Sequence, residues 1–205
     1  NFDKSNLMKA GRMDIACQIV IMTFFVSHHT RENVKLHLVF NGPPDAPKHL
    51  ELFPGDNFLG DDEKRIDISK KNVAGLIKRM LYKYKKGEKR EVSPGYFIEK
   101  KSLVKIVEEF LEEGKKVYIL DRRGDDIRKI EDKDLKDAVF VVGDQEGIPK
   151  PELKKLKKLG IDKINIGKQM YFANKLHLNM KHVSVSFKVY IFSCFLFKFQ
   201  WQMVT

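Results

Sequence analysis

The sequence predicts an α/β domain built around a largely parallel sheet, and three observations carry that expectation. Apolar residues recur at helical spacing over Val73, Leu76, Ile77, Met80, Leu81 and Tyr84, and again over Leu103, Ile106, Val107, Phe110 and Leu111. Short apolar strands follow at Lys116-Val-Tyr-Ile-Leu120, Ala138-Val-Phe-Val-Val142 and Lys163-Ile-Asn-Ile166, separated by connections and a Lys-rich helix. Two of these strands run into Gly-bounded loops, in Phe140-Val-Val-Gly-Asp-Gln-Glu-Gly-Ile148 and Ile164-Asn-Ile-Gly-Lys-Gln-Met-Tyr-Phe-Ala-Asn174. Strands that alternate with helices describe a parallel sheet with crossover connections. The carboxyl ends of such strands open onto one crevice, where a small molecule can bind.

Each element has a local reason. Arg12 to His28 is mostly apolar and has the length of a buried helix, although its Ile, Val and Thr content also suits a strand. Val34-Lys-Leu-His-Leu-Val-Phe40 alternates at period two and ends in the turn Asn41-Gly-Pro-Pro-Asp45. Ser69 stands as N-cap to the helix that begins the Val73 series, and Gly114 closes the helix of the Leu103 series. Taken alone, Gly143-Asp144-Gln145-Glu146-Gly147 is an ordinary strand-to-helix turn.

At 205 residues the chain can bury a substantial core, and 42% hydrophobic against 33% charged residues excludes general disorder. The net charge is +11. Four lysines and no acids lie beyond Asn174, which leaves +7 on residues 1–174 and makes a polyanionic partner the expectation for that body. Cys17 and Cys194 are far apart, so neither a disulfide framework nor a zinc site is expected, His28 and His29 lack metal-binding company, and a reducing cytoplasm is the default compartment. The beginning, Asn1-Phe-Asp-Lys, carries no signal pattern and reads as a start inside an open frame. Residues 175–205 differ in kind, being rich in Phe and free of acids. Their longest apolar stretch, Val189 to Phe197, is far short of the roughly 20 residues of a membrane-spanning helix. Translation in a shifted frame is preferred to a membrane anchor, and the tail is expected to be poorly packed or to form an added strand.

The ordered motifs Gly11-Arg-Met-Asp-Ile15, Phe25-Val-Ser-His28, Phe40 to Asp45, Asn72-Val-Ala74, Ser93-Pro-Gly-Tyr96, Tyr118-Ile-Leu120, Phe140 to Gly147 and Asn165-Ile-Gly167 through Ala173 together resemble the archaeal tRNA pseudouridine-54 N1-methyltransferases of the SPOUT class. The resemblance runs from about Phe2 to Asn174, so residues 1–174 are expected to form one SPOUT methyltransferase domain and 175–205 an atypical tail. It implies a SPOUT-type parallel sheet with a C-terminal trefoil knot, S-adenosylmethionine as methyl donor without a metal, tRNA as substrate and a homodimer. Two departures stand out. The family's first strand is missing ahead of Asn1, and its closing helix is not recognisable in Leu176 to Thr205, which leaves the knot incomplete on this reading.

Carried over residue by residue, the resemblance places the methyl donor against Leu120, Gly143, Ile166, Gly167, Lys168, Gln169, Met170 and Tyr171. The wall continues to Leu176, where the family has a Cys. Glycines suit close backbone approach and the apolar residues suit adenine; the plainer reading of those apolar residues is ordinary core. Asp14, held by Arg12, is the first candidate to accept the imide proton, and Asp144 the second; an ion pair in the first turn of a helix is the plainer role for Asp14. The segment Lys78 to Arg90 sets seven cations around Tyr82 and Tyr84, a pattern suited to phosphate contact and base stacking, with Tyr84 also on the apolar helix face. Removing Lys85, Lys86, Lys89 and Arg90 together is expected to flatten the salt dependence of RNA binding. A second lysine run, Lys150 to Lys158, lies close in sequence to the proposed pocket. Two other classes fit the same residues: a SPOUT enzyme acting on rRNA pseudouridine or on a ribose, and a non-catalytic RNA-binding remnant.

Overall fold

The computed structural model describes residues 2–4, 6–8, 10–26, 29–43, 45–53, 69–144, 147–166 and 188–194. In chain order these residues form α1 (Met13–Phe24), β1 (Phe25–Val26), β2 (His29–Thr30), β3 (Val34–Phe40), β4 (Lys48–Leu52), α2 (Lys70–Tyr82), β5 (Arg90–Ser93), β6 (Tyr96–Glu99), α3 (Leu103–Glu112), β7 (Val117–Asp126), α4 (Asp132–Leu135), β8 (Val139–Gly143), α5 (Lys150–Lys158), β9 (Asp162–Asn165) and β10 (Lys188–Cys194). Ser69 and Ser102 start α2 and α3 for the same reason: each side-chain oxygen accepts the backbone N–H three residues on, from Asn72 at 3.2 Å and from Lys105 at 3.3 Å. Gly114 follows α3 at φ 76°, a conformation that costs glycine little.

Eight strands make one sheet in the order β5-β6-β4-β3-β10-β8-β7-β9. From β3 to β9 every neighbouring pair is parallel, as the sequence predicts. From β3 to β5 every pair is antiparallel, a half of the sheet that the hydrophobic pattern does not announce. The acid-free tail contributes β10, which lies between β3 and β8 rather than at an edge, with Ile191 level with His37 on one side and Val141 on the other.

Alternation along the strands divides two cores. Leu36, Leu38 and Phe40 of β3, Leu50 and Leu52 of β4, and Phe140 and Val142 of β8 belong to a cluster with Met13, Val20 and Phe24 of α1 and Val73, Ile77 and Met80 of α2. Val39, Val117, Ile119, Val139 and Val141 face the other way, with Leu103, Ile106 and Phe110 of α3 and Leu156 of α5. Helices on both faces of a parallel sheet are the arrangement in which strands become continuously apolar, as β8 is. No described helix is long and apolar enough to cross a membrane.

One polar row interrupts the α3 side. His37 Nδ1 lies 2.8 Å from His49 Nε2, and His49 Nδ1 lies 3.1 Å from Glu99 Oε1. Glu99 also meets Lys101 at 2.8 Å, and Lys101 meets Glu109 of α3 at 3.0 Å. An ionised Glu99 accepts only, so His49 donates through Nδ1 and accepts His37 Nδ1–H through Nε2. That leaves the His37 Nε2 lone pair buried and without a hydrogen bond among the described residues.

Burial holds His37 well below the ordinary histidine value, helped by repulsion from His49 and from Lys35, Lys89 and Lys101. Burial lowers His49 as well, against the opposing pull of Glu99 and Glu51. Burial alone would raise Glu99, but its bonds to His49 and Lys101 bring it down to about 2, so it does not set the behaviour at mild acidity. Both histidines are neutral in the fold and charge near pH 6.5 when the chain unfolds. Their stability contribution is therefore complete above that value and is lost as pH falls below it, by up to about 1.4 kcal/mol per histidine per pH unit. Urea unfolding at pH 7.5 and 5.5 is expected to show this loss, and His37→Leu to flatten it; an unchanged slope in that variant would place the acid sensitivity elsewhere.

Candidate active site

The candidate site is built on the carboxyl edge of the sheet, where three adjacent parallel strands end. Register puts Leu120 of β7 level with Ile164 of β9, while Ile119 is level with Val141 of β8, two residues before Gly143. Leu120 is half-buried, as is Ile166 just beyond β9, and both pack on the cluster that holds Tyr118, Phe140, Val142 and Ile164. Leu120, Gly143 and Ile166 are thus brought to one end of neighbouring strands. Gly167, Lys168, Gln169, Met170, Tyr171 and Leu176 lie outside the described residues.

Gly143 has a reason of its own to be glycine. The chain turns back after β8, Gly147 N–H donating to the Asp144 carbonyl at 3.0 Å. A β-carbon on Gly143 would lie 2.5 Å from the Gly147 carbonyl carbon and 2.6 Å from Ile148 N. The missing side chain therefore first serves the folding of this loop over its own strand end.

The loop after Leu120 supplies scaffolding that the motifs did not single out. Residues 121–124 leave the β7 ladder and return to pair at Asp125 with Ile164 and at Asp126 with Asn165. Asp121 binds Lys163 of β9 and accepts the Arg123 N–H at 3.0 Å, which together hold its carboxyl below the usual range. Gly124 lies so close to the β9 backbone at Lys163 and Ile164 that no side chain fits, and its carbonyl accepts from the Asn165 side chain. The signal in the sequence was the glycine inside Asp121-Arg-Arg-Gly-Asp-Asp126, where a plain strand needs none. Arg122 and Arg123 stand exposed at the tip of this loop.

Arg12 and Asp14 meet as expected. Arg12, the N-cap residue of α1 at φ 61°, places Nε 3.1 Å from Asp14 Oδ1 and Nη2 3.2 Å from Oδ2. This two-point grip fixes the carboxylate and keeps the guanidinium firmly protonated. Asp14 is 19% exposed, so it is held yet open to solvent. Nearby Cys17 is fully buried, and burial followed by the charge of Asp14 pushes its thiol up to about 12, too high for a nucleophile at neutral pH.

The direction of α1 decides where this pair lies. At the other end of α1, Arg31 donates to the Met22 and Thr23 carbonyls at 3.0 and 2.8 Å, tying that end to the entry of β3. Because α1 packs along β3, its beginning lies toward the carboxyl end of β3, and β3 is parallel to β8, β7 and β9 through β10. The Arg12–Asp14 pair is therefore on the same edge as the strand-end loops. The end of α2 arrives there too. Tyr84 donates to Asp45, in the turn after β3, at 2.5 Å, and the Lys48 ammonium lies 4.9 Å from the Tyr84 ring centre. Tyr84 is thus structural, whereas Tyr82 is 86% exposed.

The cations of this segment divide in the same way. Lys89 is bound to Glu51 at 2.7 Å, Lys85 to Glu88 at 2.7 Å, and Arg90 donates to the Lys83 carbonyl at 3.3 Å. Arg79, Lys83 and Lys86 are solvent-exposed. In the second lysine run, Lys154, Lys155, Lys157 and Lys158 of α5 are also exposed. Among the described residues no group of His, Cys, Asp and Glu is placed to hold a metal ion.

Comparison with known proteins gives this edge its context. The tRNA (pseudouridine(54)-N(1))-methyltransferase of Methanococcus aeolicus is 32% identical over 169 residues, 80% of this chain and 80% of its own length. The protein of the same name from Methanocaldococcus jannaschii is 29% identical over 170 residues, covering 80% and 78%. Among solved structures, Archaeoglobus fulgidus Nep1 bound to S-adenosylhomocysteine matches with a TM-score of 0.52 at 14% identity, over 82% of this chain and 67% of that one, a likeness of fold. A model of S-adenosylmethionine-dependent RNA methyltransferases matches residues 2–185, and the chain belongs to that family.

Proposed function

We propose that this chain transfers the methyl group of S-adenosylmethionine to N1 of a pseudouridine in tRNA, at position 54 of the T-loop. One observation carries the reading: the strand-end loops, the clamped Asp14 and the cationic end of α2 share the carboxyl edge of one sheet. The archaeal relatives are named for that reaction and share about three residues in ten with this chain.

The residues present fit the donor. Leu120 and Ile166 pack inward on one apolar cluster yet stay half-exposed, which suits a purine face. Backbone N–H and C=O groups at the carboxyl ends of parallel strands are the kind of partners an adenosine needs. When bound, the donor supplies an electrophilic methyl on a sulfonium. The work left to the protein is to hold the nucleobase nitrogen in line with that methyl and to take up the proton which N1 gives up. Alignment makes the encounter intramolecular and accounts for several kcal/mol of barrier reduction. Asp14 is the proton acceptor in this proposal and Arg12 the residue that positions it, with Asp144 at the end of β8 as the second acceptor. The segment 167–171 and Leu176 complete the donor wall. The trefoil knot, the homodimer, the division into residues 1–174 and a tail, and a cytoplasmic location belong to the same proposal, on the strength of the family resemblance.

Incubation of the full chain and donor with tRNA that carries pseudouridine at position 54 without its N1-methyl, followed by nucleoside mass spectrometry, tests the reaction. One N1-methylpseudouridine, mapped to the T-loop, is expected; methylation elsewhere would move the chain to another RNA substrate, and none would remove the activity. Asp14→Asn keeps the shape but not the basicity of the acceptor. It is expected to slow single-turnover methylation by about 10²- to 10⁴-fold at saturating donor, with donor affinity unchanged by calorimetry. A wild-type rate would transfer the acceptor role to another group, Asp144 first.

A further inference from the structure

We propose that Tyr82 is a stacking platform for an unpaired RNA base, with the side chains of Arg79, Lys83 and Lys86 disposed to hold the phosphates on either side of it. The proposal rests on the reading that the chain acts on RNA, and it names the surface and the part of the RNA that surface takes.

Tyr82 is 86% exposed, one of two large apolar side chains so exposed among the described residues; the other is Met8. A single exposed aromatic is unremarkable by itself. The surroundings of this one distinguish it. Tyr82 is the last residue of α2, so Arg79 and Lys78 lie three and four residues back on the same face of the helix, and Lys83 follows directly. Lys78 is partly used, its ammonium 5.9 Å from the Phe2 ring centre. Arg79, Lys83 and Lys86 are exposed, while the neighbouring Lys85 and Lys89 are held by Glu88 and Glu51. A cation in the last turn also answers the partial negative charge of a helix end, which explains Arg79 but not an exposed ring beside it.

Tyr84, two residues on, gives the contrast. Its hydroxyl and ring face are both taken up, by Asp45 and Lys48, and those contacts anchor the end of α2 to the turn after β3. The ring of Tyr82 is therefore presented from a fixed helix end, on the edge that carries the candidate active site. An exposed aromatic face with exposed cations close to it along the chain fits a splayed-out base with its flanking phosphates, and fits a fully paired stem poorly, because stacked bases leave no face to cover.

The test measures binding of the full chain to two labelled RNAs, a T-arm hairpin whose open loop carries pseudouridine at the target position and a fully paired duplex of the same stem. Tyr82→Ala is expected to weaken hairpin binding by about tenfold and to leave duplex binding and the thermal midpoint unchanged, while Tyr82→Trp binds the hairpin at least as well as wild type and shows fluorescence quenching on binding. Hairpin affinity unchanged in Tyr82→Ala, or an equal loss on the duplex, would overturn the platform. So would an altered mass in sedimentation with RNA affinity intact, which would make this face a protein contact. A wild-type chain that binds the hairpin through Tyr82 but does not methylate it would sink the proposed reaction and leave the platform standing; one that binds no RNA would sink both.

Discussion

Replacing Gly143 by alanine is expected to abolish methyl-donor binding and to lower methylation by about a hundredfold or more, since a displacement near 1 Å at a reacting centre has that consequence. The added methyl would meet backbone at 2.5 and 2.6 Å, atoms that cannot swing aside as the tip of a long side chain can. The turn at Asp144 to Gly147 must lift, carrying Ile148 with it, and the strand-end surface next to Leu120 changes shape. Overpacking of this kind costs about 1–3 kcal/mol, so the variant should still fold. Gly75 provides the control. It lies inside α2 with ordinary helical backbone, and a methyl added there would have nothing within 4 Å, so Gly75→Ala should leave activity alone and stabilise by about 0.5–1 kcal/mol. Calorimetric titration with S-adenosylhomocysteine on both variants reads the difference, and undiminished affinity in Gly143→Ala would separate this loop from the donor site.

What the sequence disclosed follows from what is local. Periodicity placed α2, α3 and β3 and a continuous apolar run placed β8, signals that lie within a few residues, and the Ser69 cap is written three residues from its partner. The antiparallel half escaped notice. Arg90-Glu-Val-Ser93 and Tyr96-Phe-Ile-Glu99 are four residues each, and β5 is half charged and exposed because it is an edge strand. Its identity as a strand comes from pairing with β6, which composition does not encode. The same distinction runs through the site. Arg12-x-Asp14 was legible as a pair, but its location needed Arg31 at the far end of α1 to set the helix direction. The ion pair of Lys89 with Glu51 was not legible because the two lie 38 residues apart, and Tyr84, already set apart from Tyr82 by its place on the apolar helix face, shows its anchoring role only with Asp45 and Lys48 beside it.

Proline in place of Ile191 is expected to unfold the chain, because β10 is an interior strand. It is level with seven residues of β3 and five of β8, and without it those two strands become edges whose inward side chains are already buried on both faces. An interior proline removes a ladder hydrogen bond and clashes with the neighbouring backbone at about 3 kcal/mol or more. Each buried backbone group left unpaired adds about 1–3 kcal/mol. With a few such groups the loss becomes comparable to the 5–15 kcal/mol that typically separates a folded domain from its unfolded state. An added strand was one of the two expectations for the tail, but its place did not follow, because the slot is defined by β3 and β8, which are about a hundred residues apart in the chain and come together only in the fold. Lys188→Pro is the comparison, since the first residue of a strand tolerates proline, and it should lower the thermal midpoint only modestly. Circular dichroism melts of both variants, and of a chain ending at residue 187, check the assignment. A cooperative transition at the wild-type midpoint in the truncated chain would show that β3 and β8 hold together without β10, and that the tail is an ornament on the sheet rather than its interior.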